Sequence, residues 1–394
     1  MISINLAERL KSLESNVFAD MDRAKSGAKR RGRTIIDLSL GSSDLGASDH
    51  VLAAIETALR DRSTHGYPLH RDTESFRGSV ARWYTKRFGV TVDPETEVLP
   101  LIGSQEGTAH LPLAILNPGD FALLLDPGYP SHAGGVYLAG GQIYPMPLLA
   151  ENDFLPQFTH IPTPVLAQAK MMVLSYPHNP TSTIAPLSFF ESALGFCEEH
   201  NLILVHDFPY VDLYFNSFPP PSIFEADREK TRSIEFFSFS KSYNMGGFRI
   251  GFAIGNRELI QALARVKATV DFNQYLGILQ GAIAALEGPQ DSIIETVNTF
   301  KTRRDVFIGA LKNIAWDVPC PEATMYVWAR LPEPWRDKSV KFCTELVAET
   351  GVAVSPGAGF GKCGEGYVRF ALVHEPEILE DAVRKIARFL NLRD

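Results

Sequence analysis

The chain has 394 residues, 45% of them hydrophobic and 21% charged, and a formal net charge of −8. A chain this long buries a core without disulfides or metals, and its four cysteines (Cys197, Cys320, Cys343, Cys363) form no C-x-x-C pair and no metal-ligand spacing. The acidic balance argues against general nucleic-acid binding, and no run approaches the ~18 consecutive apolar residues of a membrane span.

The first residues, MISINLAERLKSLESNVFAD, lack the apolar stretch of an export signal. Leu6, Leu10, Leu13 and Val17 recur at three- and four-residue spacing, which predicts a short amphipathic helix. The basic run from Lys29 to Arg33 reads as a solvated turn before TIIDLSL. With reduced thiols, this composition predicts a cytosolic protein.

Seven short apolar runs follow as candidate strands. They are VLPLIG (98–103), FALLLD (121–126), QIYPM (142–146), MMVLSY (171–176), LILVHD (202–207), IEFFSFS (234–240) and IGFAIG (250–255). Most are continuous and not alternating, as in strands covered on both faces. Helical patterns such as LSFFESALGFCEEH (187–200) lie between them. The expected fold is α/β, with a large domain (46–290) built on a mainly parallel seven-stranded sheet covered by helices. After residue 290 come a helical pattern over about 291–313, TMYVWARL, a helix near 338–350, VAVSPGAGF, GYVRFAL and an amphipathic stretch over 376–391. These predict a smaller α+β domain (291–394), which residues 1–45 join unless they clasp a partner.

In parallel sheets ligands collect at the carboxyl ends of strands, so the strand-ends carry the chemistry. LILVHD ends in Asp207, with Tyr210 just beyond it. MMVLSY runs into PHNPTS, where Pro177 and Pro180 flank Asn179. VLPLIG ends in GSQEG, a helix start whose free N–H groups suit a phosphate. FALLLD ends in DPGYP, with Tyr129 at its mouth, and IEFFSFS ends in Lys241. An anion cradle, an aromatic face, an amide, a carboxylate, a phenol and an amine together suit a phosphorylated aromatic heterocycle bearing a carbonyl.

S-x-S-K (Ser238, Ser240, Lys241) followed by G-x-R-x-G (around Arg249), with N-P-T upstream and D-x-x-Y between, resembles the class I/II aminotransferases of fold type I. That family depends on pyridoxal 5′-phosphate, and the motifs run in the family's order from DLSLG to GYVRFAL. The texture around GSQEGTAHLPLAILNPGD and DPGYP most resembles the branch that holds LL-diaminopimelate aminotransferases and related acidic or neutral amino-acid enzymes, which implies a donor of LL-diaminopimelate, aspartate or alanine type. The resemblance implies that Lys241 bonds the cofactor aldehyde and moves the substrate proton, while Asp207 pairs with the ring nitrogen. It implies that Tyr210 and Asn179 hold the ring's phenolic oxygen and that Tyr129 stacks on the ring. The phosphate would take Ser104, Gln105, Ser238, Ser240 and Arg249. Arg369 and the backbone at Gly41 would hold the substrate carboxylate, with Asn179 beside them. Tyr67 would reach the phosphate of a neighbouring subunit in a homodimer. The implied reaction moves an amino group between an L-amino acid and a 2-oxo acid, with glutamate/2-oxoglutarate as one pair. A β-lyase, decarboxylase or cyclising synthase would use the same groups. A cofactor-sensing regulator would need a DNA-binding domain, for which the residues before the sheet leave no room.

Three segments depart from the family pattern. Asp72 stands where glycine is usual five residues after Tyr67, NPTS replaces NPTG, and EATMY stands where a glycine–aromatic pair is usual. GAGFGKCG (357–364) looks like a phosphate loop but has three residues between Gly357 and Gly361 where four are needed, and Cys363 in place of Ser or Thr. It reads as a flexible turn. His110, His178 and His206 have no ligand spacing.

Overall fold

The computed structural model describes residues 6–13 and 17–390. A 3-10 turn (Glu8–Leu13) and helix α1 (Val17–Arg30) lead to the two-residue strand β1 (Ile36–Asp37). Next come α2 (Asp49–Arg60), α3 (Glu74–Phe88), β2 (Val98–Leu101), α4 (Ser104–Ile115), β3 (Phe121–Asp126), α5 (Pro130–Leu138) and β4 (Gln142–Pro147). They are followed by α6 (Thr163–Leu166), β5 (Ala169–Leu174), α7 (Leu187–Glu199), β6 (Ile203–Asp207), β7 (Ser233–Ser238) and α8 (Phe239–Ser242). After β8 (Gly251–Gly255) come α9 (Arg257–Val270), α10 (Leu276–Glu287) and α11 (Asp291–Asn313). The chain closes with β9 (Tyr326–Arg330), α12 (Ser339–Thr350), β10 (Val352–Ala353), β11 (Ser355–Pro356), β12 (Tyr367–Ala371) and α13 (Pro376–Phe389).

The seven apolar runs form one sheet in the order β2-β8-β7-β6-β5-β3-β4. All neighbours are parallel except β8, which runs against both β2 and β7. Both faces are covered except at the edge strand β4, where only Met146 is buried, which is why most of the runs carry no alternation. One core packs the sheet against α2, α3, α7 and α10 through Val51, Phe76, Tyr84, Phe190 and Leu279. A second packs its other face against α4, α5 and α9 through Leu111, Val136 and Leu263. A third core joins Met21, Ala28, Ile36 and Leu38 to residues of α11, β9, α12, β12 and α13. There β1 pairs with β10, and β9, β11 and β12 make an antiparallel sheet.

The amphipathic helix expected at the start is not formed as such. Leu10 and Leu13 lie on the 3-10 turn and are 37% and 38% exposed, Leu6 is 64% exposed, and the α-helix begins at Val17. A spacing of three suits a 3-10 turn as well as an α-helix, so periodicity alone does not separate them. Residues 14–16 lie outside the described residues. TIIDLSL contributes only the two residues of β1, because only those find a partner strand. GAGFGKCG is also pinned and not loose: Cys363 N donates to Asp126 Oδ1 (3.0 Å) and Gly128 N to Phe360 O (2.8 Å).

Candidate active site

The carboxyl ends of β5, β6 and β7 and the start of α4 open on a cleft of ≈ 590 Å³, whose opposite wall comes from β12, Tyr326 and the chain around Ser39. Gly41, Ser104, Gln105, Tyr129, Asn179, Asp207, Tyr210, Ser238, Ser240, Lys241, Arg249 and Arg369, all expected from sequence, line this one cleft. Tyr67 does not. It stands 88% exposed, its ring edge-on to Phe272 at 6.1 Å. Asp72, five residues on, serves the local backbone. Its carboxylate accepts from Leu69 N (2.8 Å) and turns the chain into the helix that follows.

Asp207 ends β6 and is buried. Its Oδ2 lies 3.0 Å from His132 Nε2, while Oδ1 has no hydrogen-bond partner among the described residues. An unpaired buried carboxylate oxygen is costly, so a donor in the cleft would be strongly favoured there. His132 escapes a reading of the sequence. It sits on α5 three residues past Tyr129, and no local signal announces a partner 75 residues away. Behind Asp207, the buried His206 bonds Glu235 Oε2 (2.7 Å), and Glu235 Oε1 accepts from Tyr84 (3.0 Å) and Ser222 (2.9 Å). This network fixes the strand-end from beneath.

At another end of the cleft, α4 begins at Ser104, so the N–H groups of Ser104 and Gln105 have no helical carbonyl to bond. Gly103 caps it at φ 77°, and a Cβ there would strike the Arg249 guanidinium. The glycine thus allows both the turn and the approach of the cation. Ser238 ends β7 and caps α8, accepting from Ser240 N at 3.2 Å. Gln274 holds the Arg249 carbonyl (2.6 Å), and Arg249 Nη1 donates to Gly246 O (3.0 Å). Helix N–H groups, hydroxyls and a planar cation make an anion cup.

Lys241, on α8, is half-buried, donates to Gly41 O and lies 5.8 Å from the Tyr210 ring centre. Tyr210 and Tyr326 bond hydroxyl to hydroxyl at 2.9 Å. Burial resists ionisation of Tyr326, yet the Lys241 and Arg369 cations and the Tyr210 hydroxyl hold its phenol below the usual range. Burial, with Tyr326 beside it, pushes Tyr210 well above. A Cβ on Gly41 would run into the Tyr326 hydroxyl, so this position needs glycine. EATMY, which departs from the family pattern, therefore delivers a phenol between two cations.

Arg369 is 5% exposed. Its Nη1 donates to Asn179 Oδ1 (2.9 Å) and its Nη2 to Ser39 O (2.8 Å) and Ser355 Oγ (3.3 Å). The guanidinium lies 4.3 Å from the Tyr326 ring and 4.7 Å from that of Phe360. Among the described residues no carboxylate pairs with it, and its Nε has no partner. A buried cation without an anion invites one. The cluster of Glu106, His110 and Asp271, of which only Glu106 is buried, is metal-like in spacing, but Lys267 Nζ sits 2.8 Å and 2.9 Å from the Glu106 oxygens.

Residues 33–386 match the family profile of aminotransferase class I and II. The chain belongs to that family. Aminotransferases of this family use pyridoxal phosphate to exchange amino groups between amino and 2-oxo acids, on the fold type I sheet described above. The chain is 43% identical over 98% of its length, and 99% of the relative's, to the LL-diaminopimelate aminotransferase of Dehalococcoides mccartyi. It superposes on the substrate-bound BacF structure from Bacillus subtilis with a TM-score of 0.94, at 36% identity, covering 99% of this chain and 98% of that one. The probable N-succinyldiaminopimelate aminotransferase of Thermus thermophilus is 43% identical, with a TM-score of 0.89 over 94% of this chain and 99% of that chain. Among the described residues no helix is long and apolar enough to cross a membrane.

Proposed function

We propose that this aminotransferase takes its amino group from a diamino dicarboxylate of the LL-diaminopimelate kind and passes it to a 2-oxo acid such as 2-oxoglutarate. The single observation that carries the residue roles is a complementary pair of vacant valences in one cleft: the unpartnered Asp207 Oδ1 and the anionless Arg369 guanidinium. The donor set fits pyridoxal phosphate. A carboxylate suits a ring N–H, the cup at Ser104, Gln105, Ser238, Ser240 and Arg249 suits the phosphate, and Lys241 suits the aldehyde. When bound, that cofactor supplies a carbonyl that accepts the amino group and a ring that draws electrons from the bond being broken.

The surroundings of each residue then set its role. Asp207 holds a proton at the ring nitrogen, oriented by His132. Tyr129, half-buried beside the cup, would cover the ring, and Asn179 and Tyr210, which line the same cleft, would hold its phenolic oxygen. Arg369 would grip the donor α-carboxylate with its guanidinium, with the Gly41 backbone alongside. Lys241 would hold the cofactor aldehyde, and its Nζ, beside Gly41 and Tyr210, would take the proton from the donor Cα.

The names of similar proteins support the donor class, since both the Dehalococcoides and Thermus relatives are named for diaminopimelate derivatives. The homodimer reading is supported by Tyr67, which stands out from its own chain beside Phe272. A cytosolic setting is supported by four unpaired cysteines. Amino-donor screening decides the proposal: holoenzyme mixed with LL-diaminopimelate should lose its cofactor aldehyde absorbance and regain it with 2-oxoglutarate. Release of pyruvate and ammonia without an acceptor, or indifference to every diamino acid, would refute it. Borohydride reduction should fix cofactor mass on Lys241.

A further inference from the structure

Six charged side chains line the cleft: Asp22, Lys25, Asp207, Lys241, Arg249 and Arg369. The roles proposed above employ four and leave Asp22 and Lys25, both from α1. That helix is seated by Met21, 1% exposed, and Ala28, both in the third core. Residues three apart share a helix face, so seating Met21 and Ala28 turns Asp22 and Lys25 along the edge of that stripe toward the cleft.

Their connections tie them to the carboxylate clamp. Lys25 Nζ lies 2.8 Å from Asp22 Oδ1, 3.2 Å from Asp37 Oδ2 and 3.5 Å from Ser39 Oγ. Ser39 is also the residue whose carbonyl accepts from Arg369 Nη2 at 2.8 Å. One serine therefore spaces the two cations, about 10 Å apart at most by standard bond lengths. A seven-carbon diacid spans about 7–8 Å between its terminal carbons when extended. With one end on Arg369, the other reaches Lys25.

The local charge is specific. Asp37 Oδ1 is held by Ser39 N (2.9 Å) and Ser39 Oγ, which aims its Oδ2 at Lys25. Asp22 is the solvent-facing acid of the pair, its side chain 72% exposed. One ammonium faces two carboxylates, which leaves Lys25 cationic and one carboxylate in surplus. We propose that Lys25 and Asp22 form a subsite for the zwitterionic far end of a diamino dicarboxylate, Lys25 taking its distal carboxylate and Asp22 its distal ammonium. The subsite rests on the proposed donor class. It favours a free distal amine over a succinylated one, because acylation removes the positive charge.

The experiment compares specificity constants in the donor half-reaction of the holoenzyme for LL-diaminopimelate, L-lysine (no distal carboxylate) and L-2-aminopimelate (no distal ammonium). The wild type should prefer LL-diaminopimelate to either by at least about tenfold, since charge-assisted bonds are at stake. Lys25→Ala should collapse the preference over lysine by about tenfold or more, seen in donor affinity and not in the maximal rate. Lys25→Arg should restore it. Asp22→Asn should collapse the preference over 2-aminopimelate. Equal losses for all three donors would mean that α1 is only structural, and unchanged preferences would mean that the pair is a bystander; either overturns the subsite. The two readings fail separately. A wild type that prefers LL-diaminopimelate while both variants keep that preference overturns the subsite alone. A wild type indifferent to all three donors overturns the donor class and the subsite with it.

Discussion

Arg369→Lys separates substrate binding from cofactor binding. Lysine keeps the charge but loses the planar fork, the three hydrogen bonds to Asn179, Ser39 and Ser355, and the stack between Tyr326 and Phe360. It can make one ionic contact to a carboxylate where arginine makes two. The lost arm is a charge-assisted hydrogen bond of about 2–3 kcal/mol, or roughly 30- to 150-fold in donor affinity. The assay is the donor half-reaction followed by cofactor absorbance at increasing donor, with cofactor content measured after gel filtration. Expected are a donor dissociation constant raised by that factor and unchanged cofactor content. Loss of cofactor, or a donor shift under threefold, would refute the carboxylate role and make Arg369 a structural cation. Arg369→Met sharpens the test. The guanidinium has no anionic partner among the described residues, so an apolar replacement of similar length loses only its bonds to the neutral groups of Asn179, Ser39 and Ser355, offset by relief of the buried charge, and should change stability in urea by no more than about 2 kcal/mol. A structural cation would instead cost several kcal/mol to remove.

Asp207→Asn keeps a hydrogen-bonding group near His132 but removes the charge; the maximal rate should fall at least about 100-fold with cofactor still bound, and a loss below tenfold would sink the ring-nitrogen role. Gly41→Ala drives a methyl into the Tyr326 hydroxyl and should lower the rate about tenfold or more, while adding Tyr326→Phe should recover part of that loss. Purely additive losses in that double-mutant cycle would mean the collision is relieved elsewhere. Burial, with His132 adding, pulls His178 down to about 3 from 6.5, so the unfolded chain takes the proton first as pH falls. Stability should therefore drop between about pH 6.5 and 3, by up to ~1.4 kcal/mol per pH unit, and be unaffected by this group above that window. His178→Asn should flatten that part of the stability curve measured by urea unfolding; an unchanged slope would mean that His178 charges inside the fold.

The sheet is readable from sequence because most strands are continuous apolar runs with helices on both sides, a pattern that needs no knowledge of partners; the edge strand β4, with only Met146 buried, is the exception. The strand-end residues are readable for a related reason: topology brings the carboxyl ends of parallel strands to one edge, so Asp207, Ser238 and Lys241 meet wherever the exact register falls. What stays hidden depends on packing between distant segments. Nothing near His132 marks it as the neighbour of Asp207, and nothing near Tyr326 marks its hydroxyl as the partner of Tyr210, 116 residues earlier. The leucines of the 3-10 turn show the converse case. Their spacing predicts a face, but what covers a face is not written in the spacing.

The cleft draws its two walls from different cores, and this shapes what its residues can do. Asp207, Ser238 and the start of α4 hang from the seven-stranded sheet, whereas Tyr326 and the strand carrying Arg369 belong to the third core. If those walls met only through the ligand, any loss at Arg369 would also report the work of bringing them together. Bonds already cross the gap, however. Asn179 accepts from Arg369, Ser182 Oγ lies 2.7 Å from Thr324 Oγ1 and donates to Tyr326 O at 3.0 Å, and Tyr210, just past β6, meets Tyr326. The clamp is thus presented before a donor arrives, and a donor spends little binding energy on ordering it. Ser182 is the residue where NPTS departs from NPTG, and its hydroxyl makes two of these bonds. The departures at Ser182 and in EATMY therefore belong together: the Ser182 hydroxyl bonds the Thr324 hydroxyl and the Tyr326 carbonyl of that segment.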